Sequence, residues 1–217
     1  MRQKIFTAGA FAGLLTGAAL AFSPAMAKDY ARVPAAKMTL ANDAPIEVAY
    51  FAGGCFWGVE AVFEEVDGVK SAVSGFTGGA SRDVTYQDIT RGSTGHAETV
   101  KVTFDPRRTS YAELMQVYFS VIADPTQLNR QGPDVGSHYR SVFFPIDERQ
   151  KKQARAYIRQ LGQAGVYDRP IVTKLEPFRF FVTAEGYHQD FARKNPRHPY
   201  IVRHDAPKVA AYKRIFE

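Results

Sequence analysis

Cysteine is almost missing from this chain, because Cys55 is the only one among 217 residues. A single thiol excludes a disulfide within the chain and a zinc site built from several cysteines. Except around His138, the five histidines do not supply closely spaced ligands in its place. We therefore expect no metal site and no bound cofactor, and we expect the thiol to be either used chemically or hidden.

Runs of one charge are also missing. Lysine and arginine total 28 against 22 acidic residues, which gives a net charge of +6. The basic residues are scattered, and no basic run alternates with aromatic residues as nucleic-acid-binding surfaces do. We interpret these residues as solvated surface and expect no nucleic-acid partner.

Only one long hydrophobic run is present, from Ile5 to Phe22. Two basic residues precede it, and an Ala-x-Ala pattern ending at Ala27 follows it. This pattern predicts a signal peptide over residues 1–27 and a periplasmic or secreted protein. The alternative is an uncleaved membrane anchor, since the run approaches the lower length limit for a span.

Cleavage would leave 190 residues and reduce the net charge from +6 to +4. That length suits one domain, which we place at 46–217 after a flexible or loosely packed lead-in at 28–45. Strands are expected at 46–52, 69–76, 97–104, 139–144, 171–175 and 179–183. Helices are expected after Cys55, Ser110 and Asp147, with an irregular C-terminal tail. Strands and helices mix without regular alternation, which predicts an α+β fold with helices packed on a mixed or antiparallel sheet. We expect a monomer.

Cys55 lies where an apolar strand pattern meets two glycines and then a helical pattern. It would occupy the first turn of that helix, where free backbone N–H groups favour a thiolate. We therefore predict a nucleophilic thiol with a lowered pKa. The alternative is a small buried apolar side chain.

Glu98 falls on the apolar side of the strand at 97–104, together with Val100 and Val102. A carboxyl group buried there would have a raised pKa and could act as a general acid. The alternative, equally compatible with the pattern, is that Glu98 turns out to solvent at the start of the strand.

Phe56 and Trp57 follow the thiol directly. They could form an apolar wall that accepts a methyl group, or they could simply pack in the core. Tyr86, Asp134 and Tyr139 lie in or beside loops, where polar groups can project into a cleft.

Five ordered motifs, spanning roughly residues 46 to 200, resemble those of the A-class peptide methionine sulfoxide reductases. They are GCFWG at 54–58, GFTGG at 75–79, GHAE at 95–98, DVGSHYRS at 134–141, and HQDF at 188–191 with KNP at 194–196. The resemblance implies a two-layer α/β domain with a ferredoxin-like mixed sheet. It also implies reduction of the S epimer of methionine sulfoxide, free or in proteins, as part of protein repair.

The resemblance gives each candidate residue a role. Cys55 would attack sulfur and become a sulfenic acid, and Glu98 would donate a proton to the sulfoxide oxygen. Tyr86 and Tyr139 would hold that oxygen, and Asp134 would support the site. The remaining pair, Phe56 and Trp57, would enclose the S-methyl group.

The chain departs from this family in its tail. Many members carry a resolving cysteine after the Asn-Pro pair, but here the stretch is RHPY at 197–200. Without a second thiol, recycling of Cys55 requires an external reductant: thioredoxin, glutaredoxin or glutathione, or another thiol carrier.

Three other functions are compatible with the residues alone. A cysteine-histidine hydrolase could draw its histidine from a distant part of the chain. A one-cysteine thiol peroxidase would also pass through a sulfenic acid. The third alternative is an inactive peptide-binding module of the same fold.

Overall fold

The computed structural model describes residues 30–217, so the predicted signal peptide at 1–27 lies outside the described residues. The strands are β1 (Glu47–Ala52), β2 (Val69–Thr77), β3 (Ala97–Phe104), β4 (Arg130–Gln131), β5 (Asp134–Val135), β6 (Val142–Phe143), β7 (Lys174–Leu175) and β8 (Val182–Thr183). The α-helices are α1 (Phe56–Glu65), α2 (Tyr86–Thr90), α3 (Tyr111–Val117), α4 (Glu148–Gln163), α5 (Phe191–Lys194) and α6 (Ala206–Phe216). Within residues 30–217, no helix has the length and apolar character that a membrane span requires.

Six strands form one mixed sheet in the order β7-β6-β1-β3-β2-β8. All neighbouring pairs are antiparallel except β6 with β7, which is parallel. Its inner strands β6-β1-β3-β2, with α1 after β1 and α3 after β3, have the ferredoxin-like βαββαβ arrangement. The expected α+β fold is therefore confirmed.

Strand alternation divides the apolar residues between the two faces of the sheet. Phe51 of β1 and its cross-strand partner Val100 of β3 belong to the main core beneath the helices. The neighbouring Tyr50 and Ala52 point to the opposite face, where the ring of Tyr50 stacks on Phe178 at 4.3 Å. Because side chains alternate along β3, Glu98 shares the helix-covered face with Val100.

Side-chain caps fix the start of α3 and of α4. The predicted capping box at the start of α3 is present: Ser110 accepts from the Glu113 N–H, and the Glu113 carboxylate accepts from the Ser110 N–H. α3 continues as a π-helical turn, Tyr118–Ile122, which ends just before the Asp124-Pro125 pair. Asp147 caps α4 by accepting from the Gln150 N–H.

The C-terminal tail is not irregular, so that expectation is wrong from residue 201 onward. A π-helical turn, Ile201–Asp205, leads into α6, which has proline in its first turn and packs on α1. Three strands are shorter than expected, with two paired residues each instead of the predicted 139–144, 171–175 and 179–183. Their pairing depends on tertiary contacts at the sheet edge, which local sequence does not encode.

The lead-in at 30–45 is not loosely packed, although it contains no helix or strand. Val33 is buried, its N–H donates to the Ser120 hydroxyl, and its carbonyl accepts from the Gln116 amide. The Tyr157 hydroxyl donates to the Pro34 carbonyl at 2.7 Å. These bonds attach the segment to α3, its π-helical extension and α4.

A glycine allows α6 to approach α1. A Cβ at Gly58 would lie 2.1 Å from the Asp205 carboxylate and 3.0 Å from the Lys208 ammonium. Asp205 is fully buried and pairs with Lys208 at 3.3 Å. Any side chain at position 58 would therefore displace a buried ion pair.

We predict that Gly58→Ala lowers the free energy of unfolding by about 1–3 kcal/mol, the usual cost of overpacking. Urea denaturation measures this change. Gly162→Ala in α4 is the matched control, because a Cβ there meets nothing within 4 Å. Alanine is the better helix former, so the control should gain about 0.5–1 kcal/mol. Equal stability of the Gly58→Ala and native chains would contradict the close contact.

Candidate active site

Two glycines place Cys55 between β1 and α1. A Cβ at Gly53 would lie 2.7 Å from the Tyr118 ring, and one at Gly54 would lie 2.6 Å from the Gln131 side chain. Gly54 also has a φ of +94°, which favours glycine. The turn places Cys55 at the N-cap of α1, with 8% of its surface exposed.

The Cys55 thiol has a raised pKa, so the predicted lowering is wrong. Burial is the largest cause, and the carboxylates of Glu98, Asp205 and Asp134 act in the same direction when ionised. The nearby Trp57 N–H acts in the opposite direction on the pKa of the thiol, but its effect is weaker than that of burial. Loss of hydration outweighs the helix N-terminus, and the resting thiol therefore keeps its proton at neutral pH.

Glu98 is buried beside the same helix end, so the first of the two alternatives that the strand pattern left open is the one observed. Its Oε2 accepts from the Phe56 N–H at 3.0 Å. Burial raises the pKa of Glu98 to about 8, and that hydrogen bond only partly opposes the shift. Its Oε1 has no hydrogen-bond partner among residues 30–217. At neutral pH the carboxyl group is protonated and has one oxygen not engaged by the described protein.

Tyr86 and Tyr139 lie beside Glu98 and Cys55. Their side chains interact with each other, and both are partly buried. Burial raises the pKa of Tyr86 to about 12, with Glu98 and Cys55 contributing. Burial raises the pKa of Tyr139 as well, with the same two neighbours acting in the same direction. Both phenols therefore remain protonated and can donate hydrogen bonds to an oxygen.

Asp134 reaches the site from the short hairpin of β4 and β5. Its carboxylate accepts a short hydrogen bond from the Tyr200 hydroxyl. The Tyr200 ring also meets Trp57 edge-on, with ring centroids 5.9 Å apart. Tyr200, in the tail stretch RHPY at 197–200, therefore packs against the site.

The two aromatic residues after Cys55 differ in exposure. Phe56 is 1% exposed and packs against Phe76, Tyr86 and His188. Trp57 is partly exposed. Its Nε1–H donates to the Nδ1 atom of His188 at 3.1 Å. Its ring stacks on that of Phe191, with the ring centroids 3.8 Å apart. Of the pair, Trp57 offers more surface to a substrate.

The structure brings together all seven predicted site residues and adds several that the sequence interpretation missed. Asp205 and Lys208 of the tail lie against α1, and His188 fixes the Trp57 ring. Burial raises the pKa of Asp205 despite the neighbouring Lys208. His188 stands within the HQDF motif and could have been selected there. No local signal pointed to Asp205 or Lys208.

Three carboxylates outside this site are close enough to hold a metal ion: Glu60, Glu64 and Asp190. Glu60 already accepts from the Ser74 hydroxyl, and Asp190 pairs with two basic residues of α5. The protein itself thus occupies much of their bonding capacity.

The site therefore combines a buried thiol, a protonated carboxyl group, two phenol donors and an aromatic ring. A buried acid beside the thiol suits chemistry in which an oxygen leaves sulfur and must be protonated. Such a site can reduce an oxygenated, otherwise uncharged group.

Comparison with known proteins agrees with this chemistry. The family model "Peptide methionine sulfoxide reductase" matches residues 47–217. Peptide methionine sulfoxide reductase MsrA 2 of Mesorhizobium japonicum is 55% identical over 170 residues, which cover 78% of this chain and 87% of that protein. Peptide methionine sulfoxide reductase MsrA of Natronomonas pharaonis is 49% identical over 168 residues, which cover 77% of this chain and 94% of that protein.

Two solved structures are similar to the fold of this chain. Reduced Mxr1 of Saccharomyces cerevisiae matches with a TM-score of 0.65 and 31% identity, over 75% of this chain and 92% of that one. Methionine sulfoxide reductase A of Corynebacterium diphtheriae matches with a TM-score of 0.61 and 34% identity, and the match covers 73% of this chain and 79% of that one. These findings support reduction of methionine sulfoxide and not the peroxidase or the inactive module. The chain belongs to the peptide methionine sulfoxide reductase family and is an oxidoreductase that reduces methionine sulfoxide.

Proposed function

We propose that the chain reduces the S epimer of methionine sulfoxide, free or in proteins, through a cycle in which Cys55 is the only thiol. The observation that carries this proposal is the buried Glu98 carboxyl group, hydrogen-bonded to the first N–H of the helix that Cys55 caps. That position places a neutral acid beside a nucleophile.

Glu98 and Cys55 together account for the protons that the reduction step requires. Glu98 donates its proton to the sulfoxide oxygen, which makes the sulfur electrophilic. The Cys55 sulfur attacks, and its proton restores Glu98. The S–O bond of the substrate breaks as the oxygen passes to Cys55, leaving methionine and a Cys55 sulfenic acid. Sulfur of the substrate is reduced by two electrons, and sulfur of Cys55 is oxidised by two.

The remaining site residues hold the substrate. Tyr86 and Tyr139 donate hydrogen bonds to the sulfoxide oxygen, since burial keeps both phenols protonated. Phe56 and Trp57 enclose the S-methyl group. Asp134 supports the site through its hydrogen bond with Tyr200.

An external thiol completes the cycle. One thiolate attacks the sulfenic acid, releasing water and forming a mixed disulfide, and a second thiol releases Cys55. Thioredoxin, glutaredoxin, glutathione or another thiol carrier could supply these thiols to a monomeric enzyme. Export places the reaction outside the cytoplasm, because residues 1–27 have the signal-peptide pattern.

We predict that the chain without reductant releases one methionine per Cys55 and then stops. Rapid quench and chromatography measure the burst, and dimedone labelling with mass spectrometry detects the sulfenic acid. Cys55→Ser should release none while keeping the native circular dichroism spectrum, because a hydroxyl is a far weaker nucleophile. Repeated turnover without reductant would contradict the one-thiol cycle.

We predict that Glu98→Gln slows the methionine burst by about 100-fold to 10,000-fold, the usual contribution of a general acid. In the native chain Glu98 is protonated below its pKa of about 8, so its contribution should fall as pH rises through that value. Single-turnover rates at saturating substrate from pH 6 to pH 10 check both points. A change confined to KM would assign Glu98 a binding role instead. A fall in the single-turnover rate at alkaline pH that persists in Glu98→Gln would show that a different group titrates.

We predict that the chain recovered from the periplasm or medium of an expressing cell begins at Lys28. The Ala-x-Ala pattern that ends at Ala27 directs cleavage there. Intact-mass measurement identifies the first residue, and replacing the small residues at the site with Ala25→Leu and Ala27→Leu is the control that should block processing. Recovery of the uncleaved chain from the membrane would favour an anchor.

A further inference from the structure

A cavity of about 690 Å³ lies between the tail and the loop that carries Asp134. Its volume falls within the range of small-molecule sites. The lining residues relevant here are Gln131, Asp134, Tyr200, Arg203, Lys208 and Arg214. The cavity therefore borders the candidate site and is richer in cations than in carboxylates.

Two of these cations are not neutralised by the described protein. Within residues 30–217, neither Arg203 nor Arg214 forms an ion pair, and Arg214 donates a hydrogen bond to a neutral carbonyl, that of Tyr30. Lys208, by contrast, is paired with the buried Asp205. Guanidinium groups bind carboxylates in a planar, two-bond geometry. The cavity is thus suited to a ligand that bears carboxylates.

The inner end of the cavity lies close to Cys55. Gln131 packs directly on Gly54, the residue before the thiol, because a Cβ added to that glycine would lie only 2.6 Å from its side chain. Tyr200 meets the ring of Trp57, two residues after the thiol, and its hydroxyl bonds to Asp134. Two side chains that line the cavity therefore contact residues that lie one before and two after the reacting Cys55.

We propose that this cavity binds a small thiol bearing carboxylates, with Arg203 and Arg214 holding the carboxylates. The bound thiol reduces the sulfenic acid of Cys55 from the side of the site on which Tyr200 lies. This inference rests on the proposed need for an external thiol. The ligand thiolate attacks the Cys55 sulfur, an S–S bond forms, and the S–O bond breaks as water leaves with one added proton. A second thiolate then attacks the ligand sulfur, releasing a symmetrical disulfide and the Cys55 thiol after protonation.

The test compares glutathione with its diethyl ester on the full chain. Cys55 is first oxidised with one equivalent of methionine sulfoxide, and its return to the thiol is then followed. Both probes carry the same thiol, but the ester lacks the two carboxylate charges. At equal thiolate concentration glutathione should react about tenfold faster or more, and added salt should shrink the difference. Equal rates for the two probes would overturn the proposal.

A double variant tests whether the two cavity arginines cause the rate difference between glutathione and its ester. Arg203→Gln with Arg214→Gln should lower the glutathione rate to that of the ester and leave the ester rate unchanged. Arg155→Gln with Arg159→Gln, at exposed positions of α4 outside the cavity lining, removes the same charge and should change neither rate. An unchanged glutathione rate in the cavity variant would overturn the assignment.

The methionine burst separates this proposal from the proposed function. The burst needs no reductant, so both double variants should retain it. A missing burst in the native chain would refute the Cys55 cycle, whereas a normal burst with equal probe rates would refute only the cavity. If the cavity variant fails to fold, the ester comparison on the native chain decides.

Discussion

The hydrogen bond from the Phe56 N–H to the Glu98 carboxyl group joins the two elements on which the site depends. It ties the start of β3 to the first turn of α1, and Cys55 occupies the N-cap position directly before that turn. The register of β1 against β3 fixes where this contact falls, since Phe51 pairs with Val100. A slip of one residue would move Glu98 to the other face of the sheet and separate acid from thiol.

Burial controls the chemistry at this contact. It raises the pKa of both Cys55 and Glu98, so each group carries a proton at rest. A protonated acid is ready for the sulfoxide oxygen, but a protonated thiol is a poor nucleophile. The two requirements are compatible only if proton donation by Glu98 accompanies attack by Cys55. That coupling makes the thiol reactive when an oxygen to be protonated is present.

Local sequence predicted the parts of the fold that local physics determines. The strand at 97–104 and the capping box at Ser110 follow from alternation and from short-range hydrogen bonds. The burial of Glu98 was only one of two outcomes that the alternation allowed, because the start of a strand can also turn out to solvent. The Cys55 pKa was predicted in the wrong direction, because the helix N-terminus is visible in sequence and burial is not. The tail helix and the pair of Asp205 with Lys208 were missed because their contacts with α1 are tertiary.

The protonation state of Glu98 is the most direct test of this account. Carbon-13 labelling of glutamate side chains allows NMR titration of each carboxyl group, and Glu98→Gln identifies the signal by its loss. The assignment matters because burial also raises the pKa of Glu60 and of Glu64 to about 7. We expect the signal of Glu98 to titrate with a pKa of about 8. A value near the ordinary glutamate pKa of about 4.3 would leave the carboxyl ionised at neutral pH and contradict its role as the acid.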